Sequence, residues 1–153
     1  MPNSIAIGVA YKDQEISGGT VDNTVIGGTT AAAGTFTTAT ASTLQSTGDL
    51  IVRSATVAAT GTDNTNAAAI SGGFTLVTGA DGTKGVILPN HAAGTIIIIK
   101  NQDNAVLKVY PDSGAAINLL TATTGSYNMA ARTPAIFIAQ STTQWFTLPL
   151  LAS

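Results

Sequence analysis

The sequence predicts an all-β protein: a C-terminal antiparallel β-sandwich or small barrel, a jelly-roll-like knob, preceded by an N-terminal extension. From about residue 66 onward, short runs of β-branched and aliphatic residues alternate with turn residues. No window of the chain repeats its apolar residues at helical spacing. The 25 Thr, 25 Ala, 16 Gly and 10 Ser make up half of the 153 residues. Thr has a stiff β-branched rotamer and Gly a costly backbone entropy, so both act against helix. The length suits one ordinary domain, or a small domain with an extension.

The elements follow in chain order. Ile5-Ala6-Ile7-Gly8-Val9-Ala10-Tyr11 alternates apolar and small residues and reads as one strand, which needs a sheet to pair with. Residues 23–48 carry no charge, and from Thr29 to Gly48 only Phe36 and Leu44 are large and apolar. Ordering backbone costs ~1–2 kcal/mol per residue, and Thr and Ala methyl groups return little of it. That segment is either a flexible linker or is ordered against neighbouring chains. Gly-Gly pairs recur at Gly18-Gly19, Gly27-Gly28 and Gly72-Gly73, too few for a solenoid to be inferred.

In the knob, Phe74–Thr78 and Gly85–Leu88 flank the turn Gly79-Ala80-Asp81-Gly82. Thr95–Lys100 and Ala105–Tyr110 flank Asn101-Gln102-Asp103-Asn104. Pro111-Asp112-Ser113-Gly114 breaks the chain before Ala115–Leu120, and Thr133–Gln140 and Gln144–Leu148 flank Ser141-Thr142-Thr143. The boundaries are therefore an extension over 1–38, a connector with short strands over 39–65 and the knob over 66–153. Ile96-Ile97-Ile98-Ile99 is apolar on both faces, where an antiparallel strand normally keeps one face wet. No charge follows Arg132, and Trp145 and Phe146 lie in that last stretch. These six residues, Ile96 to Ile99 with Trp145 and Phe146, are assigned to the core or to an interface between copies. Homo-oligomerisation is the simplest way to cover them.

Charged residues make up 9% of the chain and the net charge is -2, so there is no basic footprint for nucleic acid. No apolar run approaches the ~20 residues of a membrane-spanning helix, and no secretory leader is expected. There is no Cys and a single His, His91, so neither a thiolate site nor a zinc centre is expected and no cofactor is implied. His91 follows Pro89-Asn90 without a nucleophile elbow and reads as a loop or interface residue. Asp81, Asp103 and Asp112 stand where turns are predicted and read as caps of backbone donors. Trp145, Tyr110 and Tyr127 are the aromatics for a sugar-binding surface, although packing is the more economical use of so few rings. Nothing in the pattern points to an enzyme.

One segment carries a resemblance. Val21-Asp22-Asn23-Thr24-Val25-Ile26-Gly27-Gly28, followed by Thr29-Thr30-Ala31-Ala32-Ala33-Gly34-Thr35-Phe36-Thr37-Thr38, resembles a phrase of tailed-bacteriophage virion proteins, among them head decoration proteins and tail fibres. Those proteins often have proline within the alanine triplet. Leu107-Lys108-Val109-Tyr110-Pro111 and Ala139-Gln140-Ser141-Thr142-Thr143-Gln144-Trp145-Phe146 are similar to their downstream β domain. The resemblance implies a homotrimer with an extended N-terminal arm that anchors a β knob to the particle. Small size favours a capsid decoration (cement) protein, made in the host bacterial cytoplasm and carried on the outer capsid surface. Its partners would be its own copies and the major capsid protein, with Ile5, Ile7, Val9, Tyr11, Val25, Ile26 and Phe36 docking on the capsid. The alternative is a short tail-fibre or adhesin component whose knob binds a host glycan.

Overall fold

The structure is a computed structural model that describes residues 38–46 and 48–149. The chain divides into two compact units, Met1–Gln45 and Ser46–Ser153. Of the first unit, residues 38–45 are described; they are exposed and form no strand or helix. The second unit contains ten strands, β1 (Ser54–Ala58), β2 (Ala68–Ala69), β3 (Gly73–Thr78), β4 (Gly85–Ile87), β5 (Ile96–Asn101), β6 (Leu107–Tyr110), β7 (Ala116–Ile117), β8 (Tyr127–Met129), β9 (Pro134–Ser141) and β10 (Gln144–Pro149). No described residue is helical, so the all-β expectation holds.

The expected antiparallel pairing is corrected. The six-stranded sheet runs β1-β3-β5-β9-β10-β7 and the four-stranded sheet β2-β4-β6-β8. Of their eight strand pairings five are parallel and three antiparallel. From β1 to β6, successive strands alternate between the two sheets. Ser54 faces Phe74 and Phe74 faces Ile98 in one sheet, while Ala68 faces Val86 and Val86 faces Val109 in the other. A parallel pair needs a crossover between its strands, and here the crossover is itself a strand of the opposite sheet. The path is that of a short β-solenoid, with a spacing in the ~20–50-residue range of repeat architectures. Phe74–Thr78 and Gly85–Leu88 do flank a turn, but that turn hands the chain to the other sheet instead of folding it back.

The corners between strands stack as the strands do. Ala59 N donates to Thr78 O and Gln102 N to Val77 O; Gly82 N donates to Val106 O and Lys108 N to Lys84 O. Turn chemistry fixes each corner. Asp81 Oδ1 accepts from Thr83 N, Thr83 Oγ1 and Lys84 N, at 2.9, 2.7 and 3.0 Å. Asp103 Oδ2 accepts from Ala80 N at 2.9 Å, which joins two successive corners. Asn101, fully buried at the end of β5, donates through Nδ2 to Ala105 O and Ala130 O and accepts from Asp103 N. Gly85 has a different reason to be small: a Cβ there would stand 2.6 Å from Lys108 O and 2.7 Å from Tyr110 Cε2.

Both sheets contribute to one core. Val77, Ile97, Ile99, Ile117, Phe137 and Trp145 come from the larger sheet, and Val86, Leu107, Val109 and Met129 from the smaller. Each such side chain is worth ~1.5–3 kcal/mol when fully buried. The expected strand list omits β2 and β8, and β1 lies in the 39–65 connector, where short strands are expected without positions. β1 is almost wholly small residues and β2 is two alanines, so neither carries an apolar run in the sequence.

Two substitutions test this account by chemical denaturation. Asn101→Ala removes three hydrogen bonds at ~1 kcal/mol each and strands buried partners, so it should cost ~2–4 kcal/mol. Gly85→Ala should cost ~1–3 kcal/mol through overpacking against Tyr110. Wild-type stability in both variants would contradict the corner and packing assignments.

Candidate functional site

Strand alternation sends the four isoleucines of β5 in two directions. Ile97 and Ile99 point into the core and are fully buried, whereas Ile96 is 58% exposed and Ile98 half-buried. A single chain therefore covers one face of this strand and leaves the other uncovered. Its neighbours do the same. Thr75 and Val77 of β3 are buried, with Phe74 and Leu76 on the outside; Ala135, Phe137 and Ala139 of β9 are buried, with Ile136 and Ile138 outside. On β10, Trp145 is fully buried while Phe146 and Leu148 are 48% and 53% exposed.

The strand register assembles these outward residues into rows. Phe74, Ile98, Ile136 and Leu148 form one row across β3, β5, β9 and β10. Ile96, Ile138 and Phe146 form the next. Lys100 is the single charged residue in the six strands of this sheet. Its ammonium donates to the Arg132 carbonyl. The smaller sheet contrasts with this, since Lys108 and Asn128 pair on its outward side. At the β1 side of the larger sheet lies a groove of about 320 Å³, lined by Ser54, Ala55, Thr56, Phe74 and Leu76. Leu50, Ile51 and Val52, leading into β1, are exposed as well. A continuous apolar face of this kind marks an interaction surface.

The residues assigned to core or interface thus separate by parity. Ile97, Ile99 and Trp145 belong to the core; Ile96, Ile98 and Phe146 belong to the outer face. Ile5, Ile7, Val9, Tyr11, Val25, Ile26 and Phe36, assigned to capsid docking, lie outside the described residues.

The remaining chemistry-bearing residues make their contacts within the fold. His91 is buried in the β4–β5 loop, with Nδ1 3.4 Å from Asp112 Oδ1 and its ring centroid 4.2 Å from that of Trp145. Its side chain is closed to solvent, so it is a loop residue whose imidazole is turned into the core. Asp112 faces this imidazole and not a turn amide, a pairing invisible in the sequence because the two residues sit on separate loops. Tyr110 is buried and its hydroxyl donates to Thr62 O, tying β6 to the loop after β1. Burial, and then the nearby Asp63 carboxylate, push that hydroxyl's pKa up. Tyr127 is half-buried and meets Phe137 edge-on at 5.7 Å. Neither Trp145 nor Tyr110 offers a ring face to a sugar. Among the described residues, no three His, Asp or Glu side chains converge on a point.

Comparison of the chain with protein-family models, with curated proteins and with solved structures gave no match.

Acid should loosen the corners. Hydrogen bonds from Thr83 and Lys84 hold the Asp81 carboxyl well below its ordinary value of 3.8, with the Lys84 amide the largest cause. The Thr65 hydroxyl and amide lower Asp63 in the same way. A depressed folded-state pKa contributes stability that is complete above the unfolded value and is lost as pH falls through the folded one. Melting temperature should therefore drop between about pH 5 and pH 2, with a shallower drop in Asp81→Asn; equal slopes in the two proteins would contradict the assignment.

Proposed function

We propose that this chain is a non-enzymatic virion structural protein of a tailed bacteriophage, a homotrimeric capsid decoration (cement) protein that binds the outside of the head and stabilises it. The observation that carries the reading is the apolar outer face of the six-stranded sheet, where Lys100 is the single charged residue. A surface of that chemistry is suited to contact with other protein. The resemblance of residues 21–38 to phage virion proteins supplies the setting.

In this reading the work is mechanical. The β knob, a two-sheet sandwich in its finer description, associates with two other copies, and residues 1–38 lie over junctions between capsid subunits. Three linked arms raise effective concentration, so weak individual contacts add to a firm hold. Any ligand that binds the assembled shell and not its separated subunits stabilises the shell by mass action. Burial of Trp145 and Tyr110 removes two of the three aromatic platforms of the glycan-binding alternative and leaves it the half-buried Tyr127.

Capsids lacking the protein test the reading directly. Added full-length chain should cosediment with them and raise the temperature at which they break open. A chain lacking residues 1–38 should lose binding while its Trp145 emission stays that of a buried indole. Localisation of the protein only at the tail tip by electron microscopy, or undiminished capsid binding by the shortened chain, would refute it.

A further inference from the structure

The apolar face of the larger sheet is not uniform, and its two margins differ in shape. At one margin β1 presents only Ser54, Thr56 and Ala58, low side chains that leave the groove walled by Phe74 and Leu76. Toward the other margin, on β10, Phe146 and Leu148 stand out as tall, half-exposed side chains. We infer that Phe146 and Leu148 of one copy seat in the β1–β3 groove of the next copy, so that the protein associates head to tail. The inference rests on the homo-oligomer reading above and names the surfaces that would build it.

Three observations select a second copy as the occupant. The first is complementarity within one surface: the protrusion is apolar, the groove has apolar walls in Phe74 and Leu76 over a low floor that includes Ser54 and Thr56, and both lie on the same outward face. Four strand spacings of ~4.8 Å separate β1 from β10, about 19 Å in all, so a chain cannot fill its own groove. The second is charge. Lys100 alone is charged in these strands, so a strongly charged partner would bury unpaired charge against it at a cost. A membrane surface would want a cationic rim, which six strands with one lysine do not supply. The third is extent. The six strands, two to eight residues long, give a flat footprint on the order of 500 Å², the scale of a small contact and below the ~800 Å² that each partner gives to a standard interface, so one heterologous contact per margin suits it.

Contact between different patches is heterologous, and it closes into a ring when the rotation between copies is a whole fraction of a turn. Three copies would close it in the trimer proposed above. Symmetric face-to-face pairing would instead set Phe146 of one copy against the same strands of another.

The absence of cysteine from the chain makes disulfide trapping a clean test. Thr56→Cys and Phe146→Cys are prepared singly and together in the otherwise unaltered chain, without capsids. A disulfide needs Cα atoms within ~7 Å, so the pair cannot bridge inside one chain. Oxidation should leave each single variant uncrosslinked, couple an equimolar mixture into dimers, and convert the double variant into a ladder that stops at the ring. Phe146→Ser and Thr56→Phe, which remove the protrusion and fill the groove, should each weaken self-association about tenfold or more in sedimentation, with Trp145 emission unchanged. Crosslinking of Phe146→Cys alone, failure of the mixture to couple, or a wild-type chain that sediments as a monomer would overturn the inference. An oligomer trapped as described that does not bind capsids would leave the interface standing and refute the decoration role.

Discussion

Parallel pairing is the constraint from which the rest of this protein follows. Once β1, β3 and β5 lie side by side in the same direction, the chain must leave the sheet after each strand and return from the far side. The return path becomes β2, β4 and β6. Two sheets are thereby built at once, one turn at a time, and the core fills between them as they grow. Stacked corners are a necessity of that path, because every turn of the winding leaves polar backbone at its bends. Those amides and carbonyls find each other between successive corners, with Asn101, Asp103 and Asp81 closing the gaps.

The winding also explains the unequal treatment of the two sheets. β9 and β10 join the larger sheet on its antiparallel side, and the short β7 beyond them completes its six strands. Their inward residues, Phe137 and Trp145, complete the core. Their outward residues cannot be hidden by any element of the described chain, because the smaller sheet lies on the opposite side. Apolar side chains at Ile136, Ile138, Phe146 and Leu148 thus follow the pleat and point outward. A chain with ordinary charge content would place lysine or glutamate at such positions; this one does not.

Much of the fold was legible in the residues, and its limits have definite causes. The large strands were visible because isoleucine, valine and phenylalanine mark them, and the turns because Gly, Asp and Asn do. Strand direction was not visible. Gly79-Ala80-Asp81-Gly82 looks like a hairpin turn, and nothing local distinguishes a bend that folds back from one that crosses over. The position of β1 within the connector was hidden because its Ser, Ala and Thr pack through backbone pairing with β3, which no hydrophobic pattern records. The doubly apolar character of Ile96 to Ile99 did point to an uncovered face, but not to its companions on β3, β9 and β10, since register is a long-range property. His91 beside Asp112 and Trp145 unites three segments far apart in the chain, and only the folded chain brings them together.

The position of β1 has a mechanical side. It is an edge strand, held to the sheet by its pairing with β3 alone, and it is the first strand that tension transmitted from residues ahead of Ser54 would meet. Force along the axis of β1 loads all its bonds to β3 in shear, together, whereas force across the axis opens them one after another like a zipper. The opposite end of the unit is built otherwise: β10 is flanked by β9 on one side and β7 on the other. Resistance of this unit to unfolding under tension thus depends on the angle at which the chain leaves Ser54.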